Sequence, residues 1–171
     1  MLLRATRQLM ATETTMADLT TDRLVLRSWT LPDADAVTVG HRQPQWAEDF
    51  PADGDLVIAG LFGQHPVWLG EYGHRLVIER DSGLVVGSIG LFWPPSDGRL
   101  EIGYGIVPSR RGRGYAAEAT RALTEFALTS PDVDMVCATV ELSNPASARV
   151  LEKAGFRLVD TAKDIAAYQF G

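Results

Sequence analysis

Hydrophobic positions along this chain switch between a period of two and a period near 3.6, and each switch marks an expected element. Residues 23–29, RLVLRSW, alternate in part and predict a first strand. Leu31-Pro32-Asp33-Ala34-Asp35 reads as the opening turn of a helix to about Gly40, since a proline near the first position and early acidic residues favour a helix start. Asp55 is expected to cap a short apolar helix over 56–64, set between loop stretches at 41–55 and 65–73. An antiparallel meander follows, with strands at 75–80, 84–93 and 99–107 separated by Asp81-Ser82-Gly83 and by Pro94-Pro95-Ser96-Asp97-Gly98. Residues 115–129 place Ala119, Ala122, Leu123, Phe126 and Ala127 on one helical stripe. A buried-looking strand at 133–140, a helix at 144–153 stopped by Gly155, and a hairpin at 156–160 and 165–170 complete the pattern. The fold class is α/β with a mixed sheet, about seven strands and about four helices, largely antiparallel. A helix between the strands at 99–107 and 133–140 makes those two a parallel pair.

Composition narrows the class. A chain of 171 residues favours one domain, expected over 18–171, with 1–17 as a disordered or loosely helical tail and Met16 as an alternative start. The single cysteine, Cys137, excludes an internal disulfide and a Cys-based zinc site, which suits a reducing compartment such as the cytoplasm. A net charge of −6 argues against a nucleic-acid binder held by phosphate contacts. No apolar run reaches the length of a signal h-region or a membrane span.

Chemistry concentrates in Glu101 to Phe126, EIGYGIVPSRRGRGYAAEATRALTEF. A strand runs into a glycine- and arginine-rich turn that opens directly into a helix. The first helical turn leaves backbone N–H groups without partners, and the positive end of the helix dipole faces the same space. With Arg110, Arg111 and Arg113 beside Gly112 and Gly114, the turn has the make-up of a phosphate or pyrophosphate site. Neither GxxxxGK(S/T) nor the dinucleotide GxGxxG pattern occurs there.

What does occur is Arg111-x-x-Gly114-x-Ala116. It resembles the Gln/Arg-x-x-Gly-x-Gly/Ala pyrophosphate loop of the GNAT superfamily of acyl-CoA-dependent N-acetyltransferases. Asn144-Pro145-Ala146-Ser147, followed by Gly155-Phe156, is similar to that family's fourth-helix signature. Thr21-Asp22-Arg23-Leu24-Val25-Leu26-Arg27 resembles the opening strand of its Rim-type branch, whose members acetylate ribosomal-protein N-termini. The three matches run in family order over nearly the whole chain. The resemblance implies acetyl-CoA as cofactor, with the loop Arg111, Gly112, Arg113, Gly114, Tyr115 and Ala116 on its pyrophosphate. It implies backbone contacts from Ile106 and Val107, with the Val107 N–H on the acetyl carbonyl, and contacts to pantetheine from Asn144 and Ser147. It also implies that the strands at 99–107 and 133–140 splay apart to form a wedge for the cofactor. The amine would enter a cleft for which Trp46, Asp49, Phe50, Trp68 and Tyr72 are candidates.

Transfer from a thioester to an amine needs a general base and donors aimed at the thioester oxygen. Alternation puts Glu101, Gly103, Gly105 and Val107 on one strand face, and a carboxylate beside two bare glycines fits a base at a substrate cleft. The competing reading has Glu101 in solvent beside Arg99. Tyr104 faces the other side and reads as core. Relatives carry a fourth-helix tyrosine as acid where this chain has Leu151, and Ser147 stands where the Rim-type branch has a serine in that role. Arg149 is placed either at the phosphates or in solvent. Cys137 reads as a small core residue, and His41, His65 and His74 as surface or loop. The expected function is acetyl-CoA-dependent transfer to a primary amine, a protein N-terminus or a small molecule, directly in a ternary complex. The alternative is a non-catalytic acyl-CoA sensor. The protein is expected as a monomer or homodimer without metal, membrane or nucleic-acid partners.

Overall fold

The computed structural model describes residues 16–170. Most of the expected tail therefore lies outside the described residues.

Eight strands form one sheet in the order β1-β2-β3-β4-β5-β6-β8-β7. They are β1 Leu19–Thr20, β2 Leu24–Ser28, β3 His74–Glu79, β4 Val85–Leu91, β5 Arg99–Ile106, β6 Met135–Glu141, β7 Arg157–Ala162 and β8 Ile165–Phe170. The helices are α1 Leu31–Val39, α2 Asp53–Leu61, α3 Tyr115–Ala127 and α4 Pro145–Ala154. The short β1 was not expected. It pairs antiparallel with β2 through Leu19↔Leu26 and Thr20↔Val25. This is the mixed α/β fold with four helices that the sequence pattern implied, with eight strands where about seven were expected.

Local chemistry explains the boundaries. Thr30 caps α1, its hydroxyl accepting from Asp33 N at 3.2 Å while Asp33 Oδ2 accepts from Thr30 N at 2.9 Å. Asn144 Oδ1 caps α4 by accepting from Ser147 N at 3.2 Å. Helix α2 starts two residues before the expected cap. Asp55 is inside its first turn, where Oδ2 accepts from Ala52 N at 2.8 Å.

The sheet is antiparallel except where β5 meets β6. That parallel ladder has three rungs, Arg99↔Met135, Leu100↔Val136 and Glu101↔Cys137. Beyond it β5 pairs only with β4 and β6 only with β8, so the two strands part and leave a wedge. Successive β5 residues point to opposite faces. Tyr104 reaches the start of α4. Ser88, opposite Gly105 on β4, reaches α2 on the other face. Fully buried Leu100, Leu123 and Val136 close the core beneath the wedge, each contributing roughly 2 kcal/mol through its burial.

Candidate active site

The turn from β5 to α3 is held from below. Residues 108–110 form a single 3-10 turn, after which Gly112 and Gly114 take left-handed conformations with φ of 78° and 82°. A side chain at Gly114, the N-cap of α3, is strained whatever the space available. Glu79, at the end of β3 and 5% exposed, gathers the loop. Its carboxylate accepts from Tyr115 Oη at 2.7 Å and from Ser82 Oγ at 2.7 Å. Arg110 Nε and Arg113 Nη1 each lie 3.4 Å from Glu79 Oε2. Burial raises the Glu79 pKa, but the hydrogen bonds from Ser82 and Tyr115 and the charge of Arg110 outweigh it and hold the carboxyl below its usual range.

The opening strand adds a second clamp. Arg23 Nη1 donates to Arg113 O at 2.6 Å, and its guanidinium lies 4.8 Å from the centroid of the Tyr115 ring. Arg23 Nε and Thr21 Oγ1 donate to the Glu118 carboxylate at 2.8 and 2.6 Å. Two of the three loop arginines therefore face Glu79. Arg111 differs: its Nε donates to Ile106 O at 2.9 Å.

A cavity of about 510 Å³ opens between this loop, β5 and α4. Eight of the ten residues expected at the cofactor line it: Ile106, Arg111, Gly112, Gly114, Tyr115, Ala116, Asn144 and Ser147. Arg149 and Lys153 add two more cations. The donor set fits a pyrophosphate, with free helical N–H groups, bare glycines and four cationic side chains, Arg110, Arg111, Arg149 and Lys153, around one space.

Val107 and Arg113 do not line it. Arg113 turns to Glu79. The Val107 N–H donates to Val86 O at 2.9 Å and so is already engaged in the β4–β5 ladder, which corrects its expected place on an acetyl carbonyl. The same alternation, in which Phe92 N donates to Glu101 O at 3.0 Å, points the amides of odd-numbered β5 residues at β4. The amides of Tyr104 and Ile106 then face the wedge.

Tyr104 is more than a core residue. Its hydroxyl lies 2.7 Å from Ser147 Oγ and donates to Ser147 O at 3.1 Å. Burial raises its pKa and the Ser147 contact only partly offsets this, so the phenol keeps its proton at neutral pH. Glu101 occupies the last β5–β6 rung, is exposed and lines neither cavity described here.

A second cavity of about 710 Å³ lies against α2 and shares Tyr104, Gly105, Ile106 and Arg111 with the first. Of the five side chains expected at the acceptor, only Asp49 lines it. Trp46, Phe50 and Trp68 are buried in the core, and Tyr72 stacks on Trp93 and Phe126. Asp55, Ser88 and His74 take their place. Ser88 Oγ donates to Asp55 Oδ1 in a short hydrogen bond. Burial raises the Asp55 pKa, only partly opposed by the bonds from Ser88 and Ala52. His74 was expected at the surface but is 2% exposed, ringed by Phe62, Trp68 and Phe92, and burial lowers its pKa to about 4. Gly90 makes room for the ring, since a Cβ there would stand 1.9 Å from His74 Nδ1. Asp55 was legible only as a helix cap, and no local signal sets Ser88 against it.

Comparison with known proteins gives the class to which this fold and site belong. Residues 23–157 match the family described as Acetyltransferase (GNAT) domain. The chain belongs to this family and is an N-acetyltransferase by class. It is similar to the uncharacterized N-acetyltransferase YjdG of Bacillus subtilis (strain 168), 29% identical over 153 residues, covering 84% of this chain and 91% of YjdG. Among solved structures it resembles the acetyltransferase from Agrobacterium tumefaciens str. C58, with a TM-score of 0.66 at 26% identity over 91% of this chain and 94% of that one. It also resembles RimL, the ribosomal L7/L12 alpha-N-protein acetyltransferase in complex with coenzyme A, with a TM-score of 0.68 over 90% of this chain and 97% of that one. At 17% identity, that last likeness concerns the fold alone. Among the described residues, no helix is long and apolar enough to cross a membrane.

Proposed function

We propose that the protein moves an acetyl group from acetyl-CoA directly to a primary amine, with both substrates bound at once. The observation that carries this reading is the junction of the two cavities at Tyr104, Gly105, Ile106 and Arg111. One cavity has the donors for a pyrophosphate, and the other, beyond the bare glycines of β5, has room for an acceptor.

Acetyl-CoA, here a substrate, supplies a thioester whose carbonyl carbon accepts an amine. Arg111, Gly112, Gly114 and the first turn of α3 hold its pyrophosphate, with Arg149 and Lys153 beside them. Asn144 and Ser147 meet the pantetheine. The Ile106 N–H, not that of Val107, polarises the carbonyl where negative charge develops. The Tyr104 phenol, hydrogen-bonded to Ser147, hands a proton to the leaving sulfur. Glu101 or the cavity carboxyls receive the proton that the ammonium must lose.

The motif from Thr21 to Arg27 supports a place in the Rim-type branch, with a protein N-terminus as one acceptor class and a small amine as the other. Incubation with acetyl-CoA and a set of amines, followed by mass spectrometry for products 42 Da heavier (an acetyl group replacing a proton), tests the reading. The set comprises tetrapeptides beginning with Ala, Ser or Met, spermidine, and 2-phenylethylamine. Product from any member supports the reading, and no product from any of them counts against it.

A further inference from the structure

We propose that Ser88 and Asp55 together accept the proton of the incoming amine, an assignment that rests on the acetyl-transfer reading above. Four observations converge on this pair. First, both residues line the cavity that adjoins the cofactor site, while Glu101 does not. Second, Ser88 stands directly opposite Gly105 in the β4–β5 register. Opposed side-chain positions lie about 5 Å apart on one face, and a Cβ at Gly105 would meet nothing within 4 Å, so the space beside the Ser88 hydroxyl is open. Third, Gly105 immediately precedes Ile106, whose amide faces the wedge. Glu101 is four residues back along the same strand, roughly 13 Å away. Fourth, Asp55 Oδ1 accepts the Ser88 hydroxyl proton while Oδ2 accepts from Ala52 N, which fixes the carboxyl with one oxygen turned to Ser88.

The transfer balances as follows. The ammonium gives one proton to Ser88 Oγ as Ser88 passes its own to Asp55. The neutral nitrogen forms the N–C bond and the C–S bond breaks, its electron pair leaving on sulfur. That sulfur takes a proton from the Tyr104 hydroxyl, which the second nitrogen proton replaces, and Asp55 later returns its proton to solvent. Burial of Asp55 suits the task, because a base works best with a pKa brought up toward the operating pH. The other ionisable groups lining this cavity are Asp49, Asp53, His74, Tyr104 and Arg111. His74, with its pKa near 4, and Asp49, whose carboxyl is held low by Ser109 and Arg110 against the effect of burial, stay in one state above pH 5 or so. Tyr104 keeps its proton there.

The test compares wild type, Ser88→Ala, Asp55→Asn and Glu101→Gln in turnover of acetyl-CoA with the amine set named above, across pH 5 to 9. Loss of the pair is expected to lower kcat about 100-fold, with KM for acetyl-CoA changed by less than about threefold, and to flatten the ascending limb of the pH profile. A merely structural role, pinning α2 to the sheet, would instead lower thermal stability and raise KM while leaving that limb in place, and would overturn the assignment. Asp55→Asn also disturbs the start of α2. Ser88→Ala leaves the bond from Ala52 to Asp55 intact and decides the question alone if Asp55→Asn fails to fold. Turnover of Ser88→Ala within about threefold of wild type, with Glu101→Gln inactive, sinks the pair and restores Glu101 as base. A wild type that acetylates none of the amines brings down the transfer reading first and the pair with it.

Discussion

Tyr104 Oη and Ser147 Oγ stand 2.7 Å apart, joining the free edge of β5 to the first turn of α4 across the mouth of the wedge. The bond spans 43 positions of sequence. It places a protonated phenol at the junction of the two cavities, in a chain whose fourth helix carries Leu151 where the family resemblance implies a tyrosine. Tyr104→Phe is expected to cost about 1 kcal/mol of stability, the net worth of one buried hydrogen bond, or about 3 °C in Tm for a chain of this size. By loosening Ser147 it also weakens acetyl-CoA by roughly fivefold. Thermal unfolding and calorimetry read the two effects separately.

Glu79 makes a sharper case. A carboxylate beneath a pyrophosphate loop should repel the ligand, so electrostatics alone predict that Glu79→Gln binds acetyl-CoA more tightly. The structure makes Glu79 the post to which Arg110, Arg113 and Tyr115 are tied. Cutting that post is expected to weaken binding about tenfold, or about 1.4 kcal/mol. Tighter binding by the variant would contradict the positioning role.

The Arg23–Glu118 pair ties the opening strand to the first turn of α3 at 2.8 Å. Arg23 remains 47% exposed at its side chain, so solvent screens the pair. A double-mutant cycle over Arg23→Ala and Glu118→Ala should return a coupling of roughly 0.5–1 kcal/mol in unfolding free energy.

What was legible in the sequence was local. The β5-turn-α3 passage, the parallel pair and the cap of α4 follow from periodicity, glycine placement and Asn144, and each appears within a residue or two of its expected bounds. The pairing of residues distant in sequence was not legible. Glu79 reads as the end of an ordinary strand until the fold sets it under Arg113, 34 residues later. Ser88 reads as one polar residue in a buried strand until α2 lays Asp55 on it, 33 positions away. Parity placed Glu101, Gly103 and Gly105 on one face correctly. It could not show that the Val107 amide is consumed by Val86, because ladder phase depends on the partner strand.

His74 gives stability a pH dependence of definite sign. The unfolded chain protonates this imidazole near 6.5, and the folded chain resists until about 4. The contribution is whole above pH 6.5 and is lost as pH falls toward 4, at a cost of about 3 kcal/mol. Asp55, raised by burial, works in the opposite sense, favouring the fold when protonated and losing that contribution as pH rises through its folded value. Thermal unfolding of wild type and His74→Phe across pH 4 to 7 should show a steeper acid loss in wild type. Parallel curves would remove His74 as the cause.

The central claim is that the cavity beside Arg111 and Gly114 is an acetyl-CoA site. Calorimetric titration of the purified protein with acetyl-CoA, with ATP and NAD as controls, tests it most directly. Selective binding of acetyl-CoA that is lost in Arg111→Ala and in Gly114→Val is the predicted result, the latter because valine cannot hold the left-handed turn at φ 82°. Heat with all three ligands alike, or none with acetyl-CoA, would contradict the account.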